Sequence, residues 1–129
     1  MKGVEEYPKV AAIGIAGPIF NNTVSMANVG KWGVTDGTQI GKNLNISHFE
    51  LLNDFEAASY GILTIPEDQF VSINGHKIDP TKTRGIMGPG TGLGNSVLYP
   101  IKMKNKTEVV VIPSEGGHTD FPTIDEETA

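Results

Sequence analysis

Four glycines alternate with other residues in the segment GPGTGLGNS, at positions 88, 90, 92 and 94. Glycine weakens the interior of helices and strands, so this spacing excludes a stable helix and predicts a turn. A strand-like segment, RGIM, precedes the glycines, and a second, SVLYPIKMK, follows them. The segment therefore predicts two strands joined by a glycine-rich turn.

A second explanation of the same glycines is a site for an anion. Main-chain N–H groups of a turn form a concave anion site where no side chain blocks the approach. Gly90, Thr91 and Gly92 meet that requirement, and Thr91 adds a hydroxyl donor. The pattern is not a P-loop, because no Gly-Lys-Ser/Thr follows it. It is not a dinucleotide-binding motif either, because no helix pattern follows the glycines. The turn and the phosphate site both remain open.

Composition restricts the class of protein. The chain has 129 residues, about the length of one domain. Its net charge of −5 disfavours a nucleic-acid surface. It contains no cysteine, which excludes disulfides and thiolate metal sites. No apolar segment is long enough to span a membrane, and the N-terminus lacks the pattern of a signal peptide, so we expect a cytoplasmic protein.

Short strands and one short helix are predicted along the first half of the chain. KVAAIGIAGPI predicts a buried strand that ends at Gly17-Pro18, and two further short strands are predicted in TVSMANV and WGV. Asp36 is placed to cap a short helix in GTQIGKNL. Near the end of the chain, TEVVVIP is typical of a strand, and KNK before it indicates a hairpin turn. The segment between 70 and 84 is expected to be irregular and exposed.

HFELLNDFEAASYGIL, residues 48–63, has two interpretations. It is either one amphipathic helix, or a strand followed by a helix with Asn53 and Asp54 at the junction. The second interpretation places both polar side chains at the carboxyl end of a strand, where open α/β sheets bind ligands. An amide beside a carboxylate suits neighbouring hydroxyls of a polyol, and a carboxylate can accept a hydroxyl proton. The alternative is that the pair only caps the helix.

The segment SEGGHTDF combines an acid, two glycines and a histidine. The glycines allow a tight fold in which Glu115 and His118 point the same way. As a zinc site it is poor, since it offers one His, one Glu and Asp120. The alternative is an exposed polar loop. His48 and His76 are expected to be structural or exposed, and NNT at 21–23 matches the glycosylation sequon only by chance.

Four motifs in this order resemble the bacterial-type glucokinase family: IGIAGPI, LLNDFEAASYGI, GPGTGLGNS and PSEGGHTDF. MANVGKW is similar to a short Asn-x-x-Trp segment of that family. The resemblance extends over residues 8–121. It implies an α/β fold of the ribonuclease-H-like, actin-like ATPase type, here partial, with a mixed sheet and flanking helices. It also implies that 1–65 end a small domain and 66–129 begin a large one.

The resemblance implies transfer of a phosphoryl group from ATP, with Mg²⁺, to the 6-hydroxyl of glucose in glycolysis. Asp54 matches the catalytic base and Asn53 its neighbour on the sugar. Glu115 and His118 match residues that hold sugar hydroxyls. Gly90, Thr91 and Gly92 match a phosphate-contacting segment of the ATP site. No metal-ligating residue is assigned in this chain.

The family's first phosphate segment, Asp-x-Gly-Gly-Thr, and its adenine-binding helices are not among these residues. We therefore expect a central portion of a glucokinase that is inactive in isolation. One alternative is a non-catalytic sugar-binding module or truncated pseudo-kinase. Another is a structural fragment stabilised by homo-oligomerisation. ADP or polyphosphate could replace ATP as phosphoryl donor, and the residues above do not separate glucose from similar hexoses.

Overall fold

The structure, a computed structural model, describes residues 7–25 and 33–120. It divides into two compact units, Met1–His76 and Lys77–Ala129, which we describe separately. In the described ranges, no helix is long and apolar enough to cross a membrane.

The described residues of the first unit, 7–25 and 33–76, form four strands and two helices. In chain order these are β1 (Val10–Ile15), β2 (Thr23–Ser25), β3 (Val34–Asp36), α1 (Gly37–Leu44), β4 (His48–Asn53) and α2 (Asp54–Ile62). A short 3-10 turn follows at Glu67–Gln69. The strands predicted in KVAAIGIAGPI and TVSMANV, and the helix predicted in GTQIGKNL, are confirmed within the described ranges. The strand predicted in WGV begins only at Val34, and Trp32 lies outside the described residues.

β1 and β4 form a parallel pair, in register from Val10 opposite His48 to Ile15 opposite Asn53. A parallel pair needs a long crossover, which β2, β3 and α1 supply here. β2 and β3 form a separate antiparallel pair. Between these elements lies a small core of Val24, Phe49 and Leu51, against which Ile15, Ile19, Ile40 and Ile46 pack.

The prediction that β1 is buried is wrong for the described structure. Val10 is 65% exposed and Ile13 is 46% exposed, whereas Ala11 and Ile15 pack on the core. The apolar composition of β1 shows only that both faces of this strand are suited to burial. It does not show whether another element of the protein packs against the second face.

The second unit contains a three-stranded antiparallel sheet in the order β5-β6-β7. Its strands are β5 (Arg84–Pro89), β6 (Leu93–Lys102) and β7 (Thr107–Ser114), and a 3-10 turn follows at Gly116–His118. Leu98 and Val111 lie opposite each other in β6 and β7 and are buried. The predicted hairpin at KNK is confirmed, because Met103 N–H donates to the Lys106 carbonyl at 2.8 Å. Together the units confirm the α/β class.

Candidate functional site

The junction of β4 and α2 confirms the strand-then-helix interpretation of residues 48–63. Phe49 and Leu51 alternate with exposed residues and pack into the core, which makes this segment a strand. The strand ends at Asn53, and α2 begins at Asp54. The interpretation as one continuous helix is wrong, because alternation over the first six residues outweighs the helical spacing.

Asn53 is the N-cap of α2, as the capping interpretation predicts. Its Oδ1 accepts from Phe55 N–H at 2.9 Å and from Glu56 N–H at 3.2 Å. Its Nδ2 donates to the Gly17 carbonyl at 3.3 Å, and the residue is only 6% exposed. Both ends of this amide are therefore engaged within the unit, and they tie α2 to the turn that follows β1.

Asp54 differs from its neighbour, because it is exposed at the start of α2. Its Oδ1 accepts from the N–H of Phe55 at 2.9 Å. No other side-chain hydrogen bond of Asp54 is present among the described residues. A carboxylate is favoured at this position by the partial positive charge of a helix N-terminus. Since Asn53 caps the helix, the Asp54 carboxylate remains available to a ligand.

Asn22, the second residue of the NNT segment, supports this junction. Its side-chain amide donates to the Phe49 carbonyl and accepts from Leu51 N–H, each at 2.8 Å. It thereby pairs main-chain N–H and carbonyl groups at the edge of β4, as a neighbouring strand would. Its φ of 60° is in the left-handed region, which asparagine tolerates better than most residues. That tolerance is the one sequence signal that could have identified it.

The glycine segment forms the turn of the β5–β6 hairpin. Pro89 pairs with Leu93, and Gly90 N–H donates to the Gly92 carbonyl at 2.8 Å. Neither Gly90 nor Gly92 has a positive φ. A Cβ added at Gly92 would meet nothing within 4 Å, and one at Gly90 would meet only the Gly92 oxygen at 3.9 Å. The predicted strand–turn–strand is confirmed, yet the fold does not itself require glycine at these two positions.

Glu115 and His118 are brought together at the turn that follows β7. His118 N–H donates to the Glu115 carbonyl at 3.0 Å, closing the turn. The Glu115 Oε2 and His118 Nε2 atoms lie 3.6 Å apart, and these side chains are 51% and 82% exposed. Their polar atoms therefore point the same way, toward solvent.

Gly117 explains why this turn can pack so closely on β6. A Cβ at Gly117 would overlap the carbonyl oxygen and carbon of Leu93, the first residue of β6. The turn carrying Glu115 and His118 therefore lies directly against the strand that leaves the Gly90–Gly92 turn. These two predicted segments share the unit Lys77–Ala129, whereas Asn53 and Asp54 belong to the unit Met1–His76.

The other histidines and a cavity beside α1 lie apart from the predicted site residues. His48 and His76 are exposed, as predicted, and His48 contacts Glu50 at 3.4 Å. A cavity of about 320 Å³ opens beside α1 and β4, but no predicted site residue lines it. In ranges 7–25 and 33–120, no group of three or more His, Asp or Glu side chains is arranged to hold a metal ion.

Comparison with known proteins gives one family. The family model described as Glucokinase matches residues 2–129. A glucokinase of Nostoc punctiforme is 40% identical over 121 residues, which is 94% of this chain and 34% of the relative. A glucokinase of another Nostoc species is 37% identical over 118 residues, covering 92% of this chain and 33% of the relative.

A solved structure agrees with the sequence relatives. The crystal structure of a glucokinase from an Antarctic psychrotroph superposes with a TM-score of 0.66 at 26% identity, covering 91% of this chain and 34% of that one. The chain thus spans about a third of the length of the relatives it matches. Its arrangement is consistent with part of an actin-like ATPase fold. The chain belongs to the glucokinase family.

Proposed function

We propose that the complete protein transfers a phosphoryl group from ATP to the 6-hydroxyl of glucose, with Asp54 as the base. The observation that carries this proposal is the different environment of Asn53 and Asp54 at the β4–α2 junction. Asn53 is buried and caps the helix with its amide, while the adjacent Asp54 carboxylate is exposed at the carboxyl end of a strand. Family membership gives this carboxylate a reaction.

Catalysis depends more on the position of the Asp54 carboxylate than on its basicity. Phosphoryl transfer passes through a loose transition state in which the attacking oxygen carries little developing charge until late. A carboxylate of ordinary basicity can therefore accept the hydroxyl proton as the new P–O bond forms. Its larger contribution is to orient the attacking oxygen, which is an effect of rigid placement. The contacts of Asn53 with Gly17, Phe55 and Glu56 supply that rigidity.

Glu115 and His118 are proposed to hold other hydroxyls of the sugar. Glu115 accepts hydrogen bonds, whereas a neutral imidazole accepts through one nitrogen and donates through the other. The 3.6 Å between their polar atoms suits two hydroxyls on neighbouring carbons. Paired polar contacts of this kind discriminate strongly against analogues that lack the hydroxyl.

Gly90, Thr91 and Gly92 are proposed to face the phosphates of ATP. Support comes from the open space outside the turn, which a Cβ at Gly92 would enter without touching the protein. Exposed Thr91 adds a hydroxyl donor. When bound, ATP supplies the phosphoryl group and Mg²⁺ neutralises phosphate charge. Mg²⁺ in such sites is held largely by phosphates and water, so these residues fit it without a cage of carboxylates.

The domain assignment is part of the same proposal. We propose that residues 1–65 complete a smaller domain and that residues 66–129 begin a larger one. The division into two compact units between His76 and Lys77 supports a boundary in this part of the chain. The exposed stretch between α2 and β5, which carries few regular elements, is where such a boundary would fall. We place the reaction in cytoplasmic sugar breakdown.

The test is Asp54→Ala and Asp54→Asn in the complete protein. Both changes are expected to lower kcat for glucose by about 10³-fold, the usual scale for removal of a general base. Glucose affinity is expected to fall much less, because other residues hold the sugar. The measurements are a coupled assay for glucose 6-phosphate and calorimetry with glucose.

Asp68→Ala is the matched control, since Asp68 is another exposed carboxylate of the first unit. It should leave kcat unchanged. An unaltered kcat in both Asp54 variants removes Asp54 from the base role. If the unsubstituted protein binds glucose without turnover, the alternative of a non-catalytic sugar-binding module is correct.

A further inference from the structure

Asn95, in β6, forms side-chain hydrogen bonds with the end of β7 and with the turn that carries Glu115 and His118. With the side-chain amide assigned the orientation that pairs both of its ends, its oxygen accepts from Gly117 N–H at 2.9 Å. Its side-chain nitrogen donates to the Ser114 carbonyl at 3.0 Å and to the Ser114 hydroxyl at 2.8 Å. Only this orientation of the amide pairs both of its ends.

These contacts lie where the β6–β7 ladder ends. Asn95 is paired with Ser114, the last residue of β7, and Gly117 lies in the turn beyond it. The asparagine side chain thus continues the hydrogen bonding of the ladder past the end of the strand. Leu93, two residues earlier in β6, makes the close contact with Gly117 that excludes a Cβ.

The turn needs an anchor of this kind because Glu115 and His118 are exposed. Exposed side chains are not fixed by packing, so the backbone of the turn determines where they point. The bonds from His118 N–H to the Glu115 carbonyl and from Gly116 N–H to the Ser114 hydroxyl close the turn on itself. Asn95 instead connects it to another strand.

We infer that Asn95 is a positioning residue for the sugar-binding pair Glu115 and His118. It acts from β6, and its hydrogen bonds tie the turn that carries Glu115 and His118 to this strand. This inference rests on the proposed function, since it assigns Asn95 a task in binding glucose. Removing the side-chain amide frees the turn and lowers affinity for the sugar more than for the nucleotide.

The test is Asn95→Val in the complete protein, because valine suits a strand and cannot form these hydrogen bonds. The KM for glucose is expected to rise about 10-fold, as loss of a few hydrogen bonds and misplacement of a binding pair imply. The KM for ATP is expected to stay unchanged. Hydrogen exchange at Gly117 N–H should accelerate, which reports directly on release of the turn.

A double variant separates positioning from general support of the fold. If Asn95 acts through Glu115, then Asn95→Val combined with Glu115→Gln should raise the KM for glucose by less than the product of the single effects. Asn74→Ala is the matched control. Asn74 also accepts from a main-chain N–H, that of His76 at 3.1 Å, but in an exposed turn outside the site.

The outcomes are distinct. If Asn95→Val leaves the KM for glucose unchanged, or lowers only thermal stability, Asn95 has a structural role alone and the inference is wrong. If the unsubstituted protein does not phosphorylate glucose at all, the proposed function fails and the inference fails with it. A raised KM for glucose in Asn95→Val, with wild-type behaviour in Asn74→Ala, supports the inference.

Discussion

Two turns of the unit Lys77–Ala129 contain glycine for opposite reasons. At Gly117 the fold requires it, because an added Cβ would overlap the main chain of Leu93. At Gly92 the fold does not, because an added Cβ would meet nothing within 4 Å and φ is not positive. The first glycine is explained by contacts inside the protein. The second has no such contact, and we propose that it leaves room for the phosphates of ATP.

The same contrast divides Asn53 from Asp54. Asn53 is buried, and its amide is engaged at both ends by main-chain groups. Asp54 is exposed beside it. The second contrast teaches that adjacent residues of one motif can differ in burial and in hydrogen-bond partners. The motif alone does not separate them.

Gly117→Ala is the largest effect expected from the contrast between the turns. The methyl group would force the turn away from Leu93 and is expected to destabilise the protein by about 1–3 kcal/mol, the usual cost of overpacking. It should also weaken glucose binding, because Glu115 and His118 move with the turn. Denaturant unfolding and glucose calorimetry measure the two effects.

Gly116→Ala is the matched control, because its Cβ would meet only side chains, at 3.1 Å from the Ser114 hydroxyl oxygen and 3.3 Å from the Asn95 amide, rather than main chain. Its loss of stability should be clearly smaller. Equal stability of the two variants would show that the turn can leave β6 without cost, and the contrast between the turns would disappear.

Gly92→Ala tests the other side of the contrast. Stability is expected to change by less than about 1 kcal/mol, since the methyl group meets no protein atom and the φ is not in the left-handed region. The KM for ATP is expected to rise about fivefold, the cost of losing one phosphate contact. Steady-state kinetics with ATP varied at saturating glucose measures this.

Gly85→Ala is the matched control for that experiment. Gly85 lies in β5 of the same hairpin, and an added Cβ there also meets nothing within 4 Å. Its KM for ATP should equal that of the unsubstituted protein. If Gly92→Ala behaves in the same way as Gly85→Ala, the space outside the turn is not used by a ligand.

Local signals in the sequence predicted much of this structure. Turn residues predicted the β5–β6 hairpin, and the β4–α2 junction was one of two interpretations left open by the sequence. Asp36 caps α1 as predicted, by accepting from Gln39 N–H at 3.1 Å. Each of these features depends on residues within a few positions of one another. Motif order supplied the family, which the family model confirms.

Contacts between distant residues could not be predicted in this way. Asn22 forms a hydrogen bond with Leu51, 29 positions away. Asn95 forms one with Gly117, in the turn that follows β7. A side chain that satisfies the main chain of a distant strand creates no periodic pattern, and asparagine is common in ordinary turns. The exposure of β1 could not be predicted for a related reason. The exposure of a strand depends on which element of the fold packs beside it.

The turn at Asp79–Thr81 provides a third case, since it is closed by a side chain rather than by glycine. Asp79 Oδ1 accepts from the Thr81 hydroxyl at 2.7 Å and from the Thr81 N–H at 2.9 Å. The hydroxyl contributes most, the N–H less and nearby Lys82 less again, and together they hold the pKa of Asp79 below its ordinary value of 3.8. Because folding lowers this pKa, the ionised Asp79 carboxylate stabilises the folded state at pH values above its ordinary pKa. That contribution is lost as the pH falls through the folded-state pKa.

Thr81→Val is therefore expected to raise the pKa of Asp79 toward its ordinary value, while the N–H contact and the shape of residue 81 are retained. The effect on stability is the smallest of those considered, because Asp79 is fully exposed. An NMR titration of the Asp79 carboxyl carbon measures it, with Thr83→Val as the control at a neighbouring threonine. If the pKa of Asp79 is the same in both variants, the hydroxyl does not hold the carboxylate. The turn then depends on the contacts that Asp79 accepts from the main-chain N–H groups of Thr81 and Lys82.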